Sequence, residues 1–315
     1  MKGKINVREH KTISVDCVIV TYNRLELLKE CIQAVENQSY PVNKVFVIDN
    51  NSSDDTWDYL RKSMTRYRNI VSIHLTKNVG GAGGFNQGIK CFMKESLSEY
   101  VWIMDDDTIP NEDALLNLIK QLNVTNNVGF WASNVRWRDN SPAKMNIPKA
   151  SENWNEFIEQ GLTEVDYASF VSIVIPRKVV QKVGYPVSDF FIWGDDVEYT
   201  SRIRKKGYKG FLVKDSIVEH RIKDNIATDI IAEKDKNRIK RYYFANRNNL
   251  YNAKKYASKT EYMNTLLHQF LVDPAKIIVS SRNYKLLRLS VNIKGNLAGV
   301  FFKPKIEKYN GGMKK

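Results

Sequence analysis

The chain has 315 residues, and its 43% hydrophobic content is typical of a folded globular protein and argues against a disordered one. Its three cysteines are scattered and form no C-x-x-C pair, which argues against a disulfide framework or a cysteine zinc site. The formal net charge of +14 lies at the end of the chain, since Glu233 to Lys315 hold 19 Lys and Arg against 5 Asp and Glu. Such a tail is expected to meet a polyanion, either nucleic acid or an anionic membrane face.

The first half of the chain alternates short apolar strands with amphipathic helical patterns. In chain order, the predicted elements are a strand at Val15 to Thr21, a helix at Arg24 to Asn37, a strand at Lys44 to Asp49, a helix at Thr56 to Arg66, a strand at Ile70 to Leu75, a helix at Gly84 to Glu95, a strand at Tyr100 to Met104 and a helix at Glu112 to Gln121. This alternation predicts a mostly parallel sheet with helices on both faces.

The second half of the chain loses this regular alternation after Asn123. Strands are predicted at Val128 to Val135, at Tyr167 to Ile175 and at Ser216 to Glu219, and a helix at Asp195 to Lys206. From about Asn225 onward the pattern is helical and basic. We therefore predict an α/β domain over residues 1–224, in two halves of about 14–122 and 123–224, and a helical C-terminal region over 225–315. Met1 to Asp16 lack the apolar core of a signal peptide, which predicts a cytosolic or peripheral protein.

Polar residues follow each of the first four predicted strands. They are Thr21 to Arg24, Asp49 to Asp54, Lys77 and Asn78 with the glycine cluster behind them, and Asp105 to Asp107. Ligands bind parallel sheets beyond the carboxyl ends of the strands, so these residues are expected to form one polar site. Helix capping by Asn23, Ser53 and Asp54 is the structural alternative.

An apolar strand ends in three successive carboxylates, Asp105, Asp106 and Asp107. Side chains alternate along an extended chain, so Asp105 and Asp107 should point the same way and Asp106 the opposite way. Two hard oxygen ligands on one side favour a divalent cation that would bridge a diphosphate. The alternative is a solvated acidic turn before the next helix.

Two further motifs have both a structural and a functional interpretation. The glycine cluster Gly80 to Gly84 lies between a strand and a helix, where it favours either close approach to an anionic ligand or only a tight turn. Asp195 and Asp196 follow Trp193 and open a helical pattern, which fits helix capping or a sugar site with an aromatic wall and a proton-accepting carboxylate. His220 could complete a metal shell, although a lone histidine is usually structural.

Taken in this order and spacing, the motifs resemble family 2 glycosyltransferases, especially the galactofuranosyl- and rhamnosyltransferase branch. The resemblance covers roughly Val15 to Tyr251. It includes Val20 to Arg24, Asp49 to Ser52, Asn78 with Gly80 to Phe85, Asp105 to Asp107, Asp195 to Tyr199, His220 and Arg247 to Tyr251.

The resemblance implies a GT-A nucleotide-sugar-binding fold and a set of roles. Nucleotide-sugar binding falls to Thr21, Asn23, Arg24, Asp49, Asn78, Gly81, Asp105 and Asp106. Mn²⁺ or Mg²⁺ would be held by Asp105, Asp107 and His220. Asp196 would be the general base of an inverting reaction, with Asp195 orienting the acceptor beside Trp193.

The resemblance also implies partners and a place in the cell. The Asp-Asp-x-Glu-Tyr form favours UDP-galactofuranose as the donor, with dTDP-rhamnose as the alternative, although Gly194 departs from the aromatic residue that precedes the acids in galactofuranosyl relatives. The acceptor would be a lipid-linked glycan, and the basic tail would hold the protein at the inner face of the cell membrane or form a homo-oligomer contact. The alternative from another class, a nucleic-acid-binding protein, leaves the acidic strand end unexplained.

Overall fold

The computed structural model describes residues 13–311, and it confirms the alternation of strands and helices in the first half. The elements there are β1 Val15–Thr21, α1 Leu25–Glu36, β2 Val45–Asp49, α2 Thr56–Arg66, β3 Ile70–His74, α3 Gly80–Glu95, β4 Tyr100–Asp105, β5 Thr108–Pro110 and α4 Ala114–Lys120. Side chains of β1 alternate between two cores, with Cys17 and Ile19 in one and Val18 and Val20 in the other. Helices therefore cover both faces of the sheet.

The second half contains more strands and a helical end. Its elements are β6 Val128–Arg136, β7 Lys149–Ala150, β8 Leu162–Tyr167, β9 Ile173–Pro176, α5 Arg177–Val183, α6 Asp195–Lys205, β10 Lys209–His220, α7 Lys236–Tyr256, α8 Lys259–Leu267, α9 Asp273–Ser280 and α10 Lys285–Phe301. The prediction of one strand from Tyr167 to Ile175 is wrong, because β8 ends at Tyr167 and β9 begins at Ile173. The loop between them buries Phe170 against Phe85 and Tyr199, and a short apolar run alone does not distinguish such a loop from a strand.

The sheet has the strand order β3-β2-β1-β4-β9-β6-β10-β8-β7, with β5 paired to β10. The fold-class prediction is confirmed, and strands β1 to β4 are parallel. Beyond β4 the sheet is mixed, because β9 runs antiparallel to both of its neighbours. The long strand β10 pairs with β5 so that His220 lies opposite Thr108, next to the three carboxylates.

The glycine cluster belongs to a helix, which begins at Gly80 and not at Gly84 as predicted. A Cβ atom at Gly84 would lie 2.4 Å from Val20, and one at Gly88 would lie 2.4 Å from Val18. These two glycines therefore let α3 pack closely on β1. Gly81 differs, since a Cβ atom there would meet no atom within 4 Å.

The C-terminal region packs onto the α/β domain at both of its ends. Helix α7 packs along α10, and the segment after α10 returns to the α/β domain. There Glu307 accepts hydrogen bonds from Asn86 and from the backbone N–H of Tyr185, and it forms an ion pair with Lys90. Residues 1–12 and 312–315, which begin and end the two predicted domains, lie outside the described residues.

Candidate active site

Asp105, Asp107 and His220 form one cluster, and one ligand atom from each lies within 4.8 Å of the other two. His220 Nε2 is 3.1 Å from Asp107 Oδ1, and His220 Nδ1 is 2.7 Å from Asn146 Oδ1. Donation from Nδ1–H to Asn146 leaves Nε2 as the nitrogen that faces the carboxylates. There it donates to Asp107 when it is protonated, and it can bind a metal ion once that proton is lost. The structure thus brings together the three residues that were predicted as metal ligands.

The acidity of these groups reflects burial and close charges. Burial and the Asp107 charge raise the pKa of Asp105 to about 7. Burial alone would raise the pKa of Asp107, but the hydrogen bond with His220 and the charges of His220 and Arg24 lower it to about 2. Burial lowers the pKa of His220, and the contact with Asp107 outweighs it so that the net shift is upward. A divalent cation would relieve the repulsion that Asp105 meets here.

Asp106 takes no part in this cluster, although its carboxylate contacts the same Arg24 nitrogen as Asp107. Strand β4 ends at Asp105, so strand alternation does not extend over Asp106 and Asp107. Asp106 Oδ2 accepts the Thr21 hydroxyl at 2.8 Å, and its Oδ1 accepts from Arg24 at 3.2 Å. Arg24 also forms an ion pair with Asp107. Asp106 therefore ties the ends of β1 and β4 together and fixes the guanidinium of Arg24 beside the predicted metal ligands.

The other polar strand ends form a second network on the same sheet edge. Asn23, at φ +54°, accepts from the backbone N–H of Ser53, and Asp49 Oδ2 lies 2.6 Å from His74 Nδ1. Asn78 Oδ1 accepts from the Asn50 amide at 3.1 Å. These groups satisfy one another and do not line the main cavity. Their contacts join the loops after the strands, and the N-cap residues of α1 and α2 make no side-chain capping bond, so helix capping does not account for Asn23.

Asp195 and Asp196 begin α6 after a loop with an unusual backbone. Phe191 and Trp193 have φ of +65° and +62°, in the left-handed region that residues other than glycine seldom adopt, and Gly194 follows at +83°. This conformation places both acids at a helix N-terminus, facing the cavity.

Helix α7 holds this loop. The fully buried Asn248 donates from its side-chain amide to the carbonyls of Phe190, Ile192 and Trp193, at 3.0, 3.1 and 2.7 Å. A further amide hydrogen bond, from Asn252 to Gly194 O, spans 2.8 Å. The Asn248 amide has two N–H groups, so one of them is shared between two of its three carbonyls, and this arrangement fixes the loop more strongly than packing alone.

Burial changes the acidity of the two acids. It raises the pKa of Asp195 well above the usual value, and the Asp196 charge adds to the shift. Burial also raises the pKa of Asp196, and hydrogen bonds from the backbone N–H groups of Val197 and Phe170 limit the rise to about 6. Asp196 is thus ionised at neutral pH and basic enough to accept a proton.

Asp105, Asp107, His220, Asp195 and Asp196 all line one cavity of about 760 Å³. Trp193 forms part of its wall and packs edge-on against Tyr242, with 5.1 Å between the ring centroids. Basic side chains also line the cavity, namely Arg24, Arg138, Arg221, Lys223, Arg238 and Arg241. Two of these arginines belong to α7, so part of the positive charge of the tail faces this site.

The sequence interpretation missed several residues of the site. Asn146 and Arg138 lie in the polar segment that carried no periodic pattern, and only the fold brings them to the cavity. Arg247 and Asn248 carried a signal, because they belong to the motif on which the resemblance rests. Without the fold that motif had no role, since its partners are backbone carbonyls 55 to 58 residues earlier in the chain.

Gly80 connects the glycine cluster to the loop before α6, and its replacement tests that contact. At φ +74°, a Cβ atom on Gly80 would lie 2.0 Å from the carbonyl oxygen of Phe191, which accepts from the backbone N–H of Ala82. We expect Gly80→Ala to lower the free energy of unfolding by roughly 1–3 kcal/mol. Thermal unfolding measures the loss, with Gly81→Ala as the matched control in the same helical turn. Equal stability of the two variants would show that the contact is unimportant.

Sequence comparison then decides the family. The profile of glycosyl transferase family 2 matches residues 16–182, which is more than half of the chain. The chain belongs to glycosyl transferase family 2. The matched segment runs from β1 into α5 and includes the three carboxylates, while Asp195, Asp196, His220 and α7 follow it. This family 2 chain therefore carries the GT-A type of α/β fold that the motifs predicted.

Similar proteins agree with this fold. The chain is 27% identical over 212 residues to glycosyltransferase AglE of Haloferax volcanii, an alignment that covers 65% of this chain and 66% of AglE. GalNAc-T7 solved with UDP, GalNAc and Mn²⁺ superposes with a TM-score of 0.58 at 14% identity, over 85% of this chain and 58% of that one. The mannosyltransferase PcManGT of Pyrobaculum calidifontis, solved with GDP-Man and Mn²⁺, gives 0.56 at 16% identity, over 91% and 87%. At these identities the two structures establish the fold alone.

None of the helices between residues 13 and 311 combines the length and the hydropathy that a transmembrane span requires.

Proposed function

We propose that this protein is an inverting, metal-dependent glycosyltransferase that moves a sugar from a nucleoside diphosphate donor onto a glycan acceptor. The observation that carries the proposal is that the Asp105–Asp107–His220 cluster and the Asp195–Asp196 pair line the same cavity. The Asp105–Asp107–His220 cluster suits a diphosphate, and the Asp195–Asp196 pair suits a reacting hydroxyl. The experiment is to incubate the protein with Mn²⁺, a panel of nucleotide sugars and candidate acceptors, and to detect the released nucleoside diphosphate and the glycosylated product by mass spectrometry.

The metal is supported by the chemistry of the donor set. Two carboxylates and one imidazole within 4.8 Å of one another suit Mn²⁺ or Mg²⁺. When bound, the ion supplies positive charge that stabilises the departing diphosphate. Asn146 orients His220, and Arg24 remains close enough to add a further positive charge.

The proton transfer is assigned to Asp196. Its carboxylate accepts the proton of the acceptor hydroxyl as that oxygen forms a bond to the anomeric carbon, while the bond from that carbon to the diphosphate oxygen breaks on the opposite face. Attack opposite the leaving group inverts the configuration. Asp195 and Trp193 would orient the acceptor, the first by a hydrogen bond and the second by stacking its ring on a sugar face.

Nucleotide binding is assigned to the polar edge after β1 to β4. Thr21, Asn23, Asp49, Asn78 and Asp106 would surround the base and ribose, partly through the mutual contacts described above. Gly81 leaves open space for the phosphates, and Arg24 with Asp105 would meet them. The nucleotide half of the catalytic domain is then residues 14–122 and the acceptor half 123–224.

The donor assignment rests on the resemblance. We propose UDP-galactofuranose, with dTDP-rhamnose as the second candidate. The Glu and Tyr of the Asp-Asp-x-Glu-Tyr motif are buried and make structural contacts. Glu198 pairs with Arg202, and the Tyr199 hydroxyl donates to Gly184 O. The motif therefore supports the fold around Asp196, and a direct comparison of donors must decide the sugar.

The acceptor and the location are proposals of the same kind. The acceptor would be a lipid-linked glycan of a cell-surface polysaccharide, and the protein would be cytoplasmic and peripheral on the inner face of the membrane. A nucleic-acid partner is disfavoured because Arg238 and Arg241 of the basic tail face a cavity lined by carboxylates. A homo-oligomer contact through the tail is the alternative to membrane binding.

The pKa of Asp196 predicts an acid limit to the activity. Because burial raises that pKa to about 6, the base becomes protonated as the pH falls through 6 and turnover should fall with it. The measurement is kcat/KM from pH 5 to pH 8 at saturating Mn²⁺, with nucleotide affinity followed by titration over the same range. A decline in kcat/KM that matches the decline in nucleotide affinity would contradict this assignment.

Asn248 is proposed as a positioning residue for Asp195 and Asp196. Asn248→Ala removes the amide that contacts three carbonyls of a loop with two left-handed residues, and a small displacement of the base should lower kcat by about 10²-fold. Nucleotide affinity should change little, because the metal ligands lie on other elements. Asn237→Ala, on the exposed first turn of α7, is the control. A folded Asn248→Ala protein with wild-type kcat would show that the loop holds itself.

A further inference from the structure

Helix α10 is packed with its polar side inward. Its buried residues are polar or small except for Val291, and they are Arg288, Asn292, Gly295, Asn296 and Gly299. Gly295 and Gly299 allow close approach to α7, since Cβ atoms there would lie 2.7 and 2.9 Å from backbone oxygens of α7. Most helices of globular proteins bury their apolar side, so the outer side of α10 needs an explanation.

That outer side is apolar. The exposed residues Leu286, Ile293, Leu297, Val300 and Phe301 recur at seven-, four- and three-residue steps and so form one stripe along the helix. Leu286 is 83% exposed and Phe301 is 77% exposed. Leaving such large side chains in water is unfavourable, so this stripe is suited to contact with an apolar phase.

The neighbouring helices extend the apolar surface. Met263 and Leu267 of α8, Leu271 of the following π-helical turn and Val279 of α9 are each at least 50% exposed. These residues are four or eight positions apart, which is again the spacing of a stripe. Helix α9 packs next to α10, so the two stripes belong to adjacent helices.

The charge around these stripes selects the partner. Exposed basic residues flank them, namely Lys259, Lys276, Arg282, Lys285, Lys294, Lys303 and Lys305, while residues 259–305 contain only two acidic residues, Glu261 and Asp273. A second copy of this surface would bring like charges together. An anionic lipid surface offers both an apolar interior for the leucines and phosphates for the lysines.

We infer that the outer face of α8 to α10 is a membrane-insertion surface that embeds its apolar stripes among the acyl chains of an anionic leaflet. This inference rests on the proposed function and makes its peripheral membrane location more specific. The surface would bring the cavity to a lipid-linked acceptor. Helix α7 connects this surface to the cavity, because it packs on α10 and contributes Arg238 and Arg241 to the cavity.

The test is vesicle flotation of the full-length protein. The probes are vesicles of phosphatidylcholine alone and of phosphatidylcholine mixed with phosphatidylglycerol. We expect wild-type protein to float with the anionic vesicles, and the triple variant Leu286→Glu, Leu297→Glu, Phe301→Glu to partition about tenfold less or lower still. Leu97→Glu is the matched control, since Leu97 is 94% exposed but lies outside these helices. Retention of the wild-type melting temperature and UDP affinity by the triple variant separates this surface from the catalytic proposal.

Three outcomes would overturn the inference. They are wild-type protein that does not float, a triple variant that floats as well as wild type, and wild-type protein that dimerises in light scattering through these residues without binding vesicles. Equal binding to neutral and anionic vesicles would overturn the inference that the surface prefers an anionic leaflet. Each outcome leaves the nucleotide titration, and thus the proposed function, to be judged separately.

Discussion

Replacement of Asp105 by Asn should abolish Mn²⁺ binding and, in the metal-free protein at pH 8, raise the melting temperature. Burial and the Asp107 charge raise the pKa of Asp105 to about 7, so the folded protein favours the neutral form. A group with a raised folded pKa costs stability as the pH rises from its unfolded value of 3.8 through 7. Asn removes that cost, and it also removes one of two carboxylate ligands.

Thermal unfolding in EDTA at pH 4 and pH 8, together with the electron paramagnetic resonance of Mn²⁺, measures both effects. The stabilisation should be large at pH 8 and much smaller at pH 4, which is close to the unfolded pKa of 3.8 and far below the folded value of about 7. Exposed Asp215→Asn is the control and should change neither quantity. An Asp105→Asn protein that binds Mn²⁺ as wild type does would remove this residue from the proposed metal site.

Replacement of Asp196 by Asn should lower transfer by on the order of 10³-fold, because the acceptor hydroxyl then loses its proton acceptor. The Asn side chain keeps the size of the carboxylate, and the contact with the Val197 N–H can be kept through the amide oxygen. Nucleotide binding in the presence of Mn²⁺ should be unchanged, since the metal ligands are intact. The measurements are kcat from product formation and nucleotide affinity by titration.

Asp189→Asn is the matched control, an exposed acid on the loop just before α6 whose side chain lies away from the cavity. It should keep full activity. If Asp196→Asn retained a kcat within tenfold of wild type, Asp195 would be the better candidate for the base. If it lost nucleotide affinity together with activity, the loop would be coupled to the donor site.

The strands that carry the site could be predicted because their periodicity is local. The strand that leads to Asp105 is apolar, and the predicted grouping of Asp105 with Asp107 is observed, while Asp106 contacts Thr21 and Arg24 instead. The meeting of His220 with Asp107 was suggested only by chemistry. It depends on the pairing of β10 with β5, which are about a hundred residues apart in the chain.

The contacts that the sequence did not reveal are those that depend on tertiary structure. Asn248 belongs to a motif on which the resemblance rests, but its role appears only when the left-handed loop of Phe191 and Trp193 lies beside α7. The helix was predicted to begin at Gly84, but it begins at Gly80. The tertiary contacts of this turn, such as that of Gly80 with the Phe191 carbonyl and that of Gly84 with Val20, are not visible in the sequence. The inverted polarity of α10 was hidden for the same reason, since periodicity does not say which side packs inward.

We propose that a divalent metal and a nucleoside diphosphate share one site at Asp105, Asp107 and His220. Isothermal titration of the full-length protein with UDP and with dTDP, each in Mn²⁺ and in EDTA, tests this shared site. We expect one nucleotide to bind with Mn²⁺, EDTA to abolish the binding, and the double variant Asp105→Ala, Asp107→Ala not to bind. Folded wild-type protein that binds neither nucleotide, or binds one equally well in EDTA, would show that the shared site does not exist.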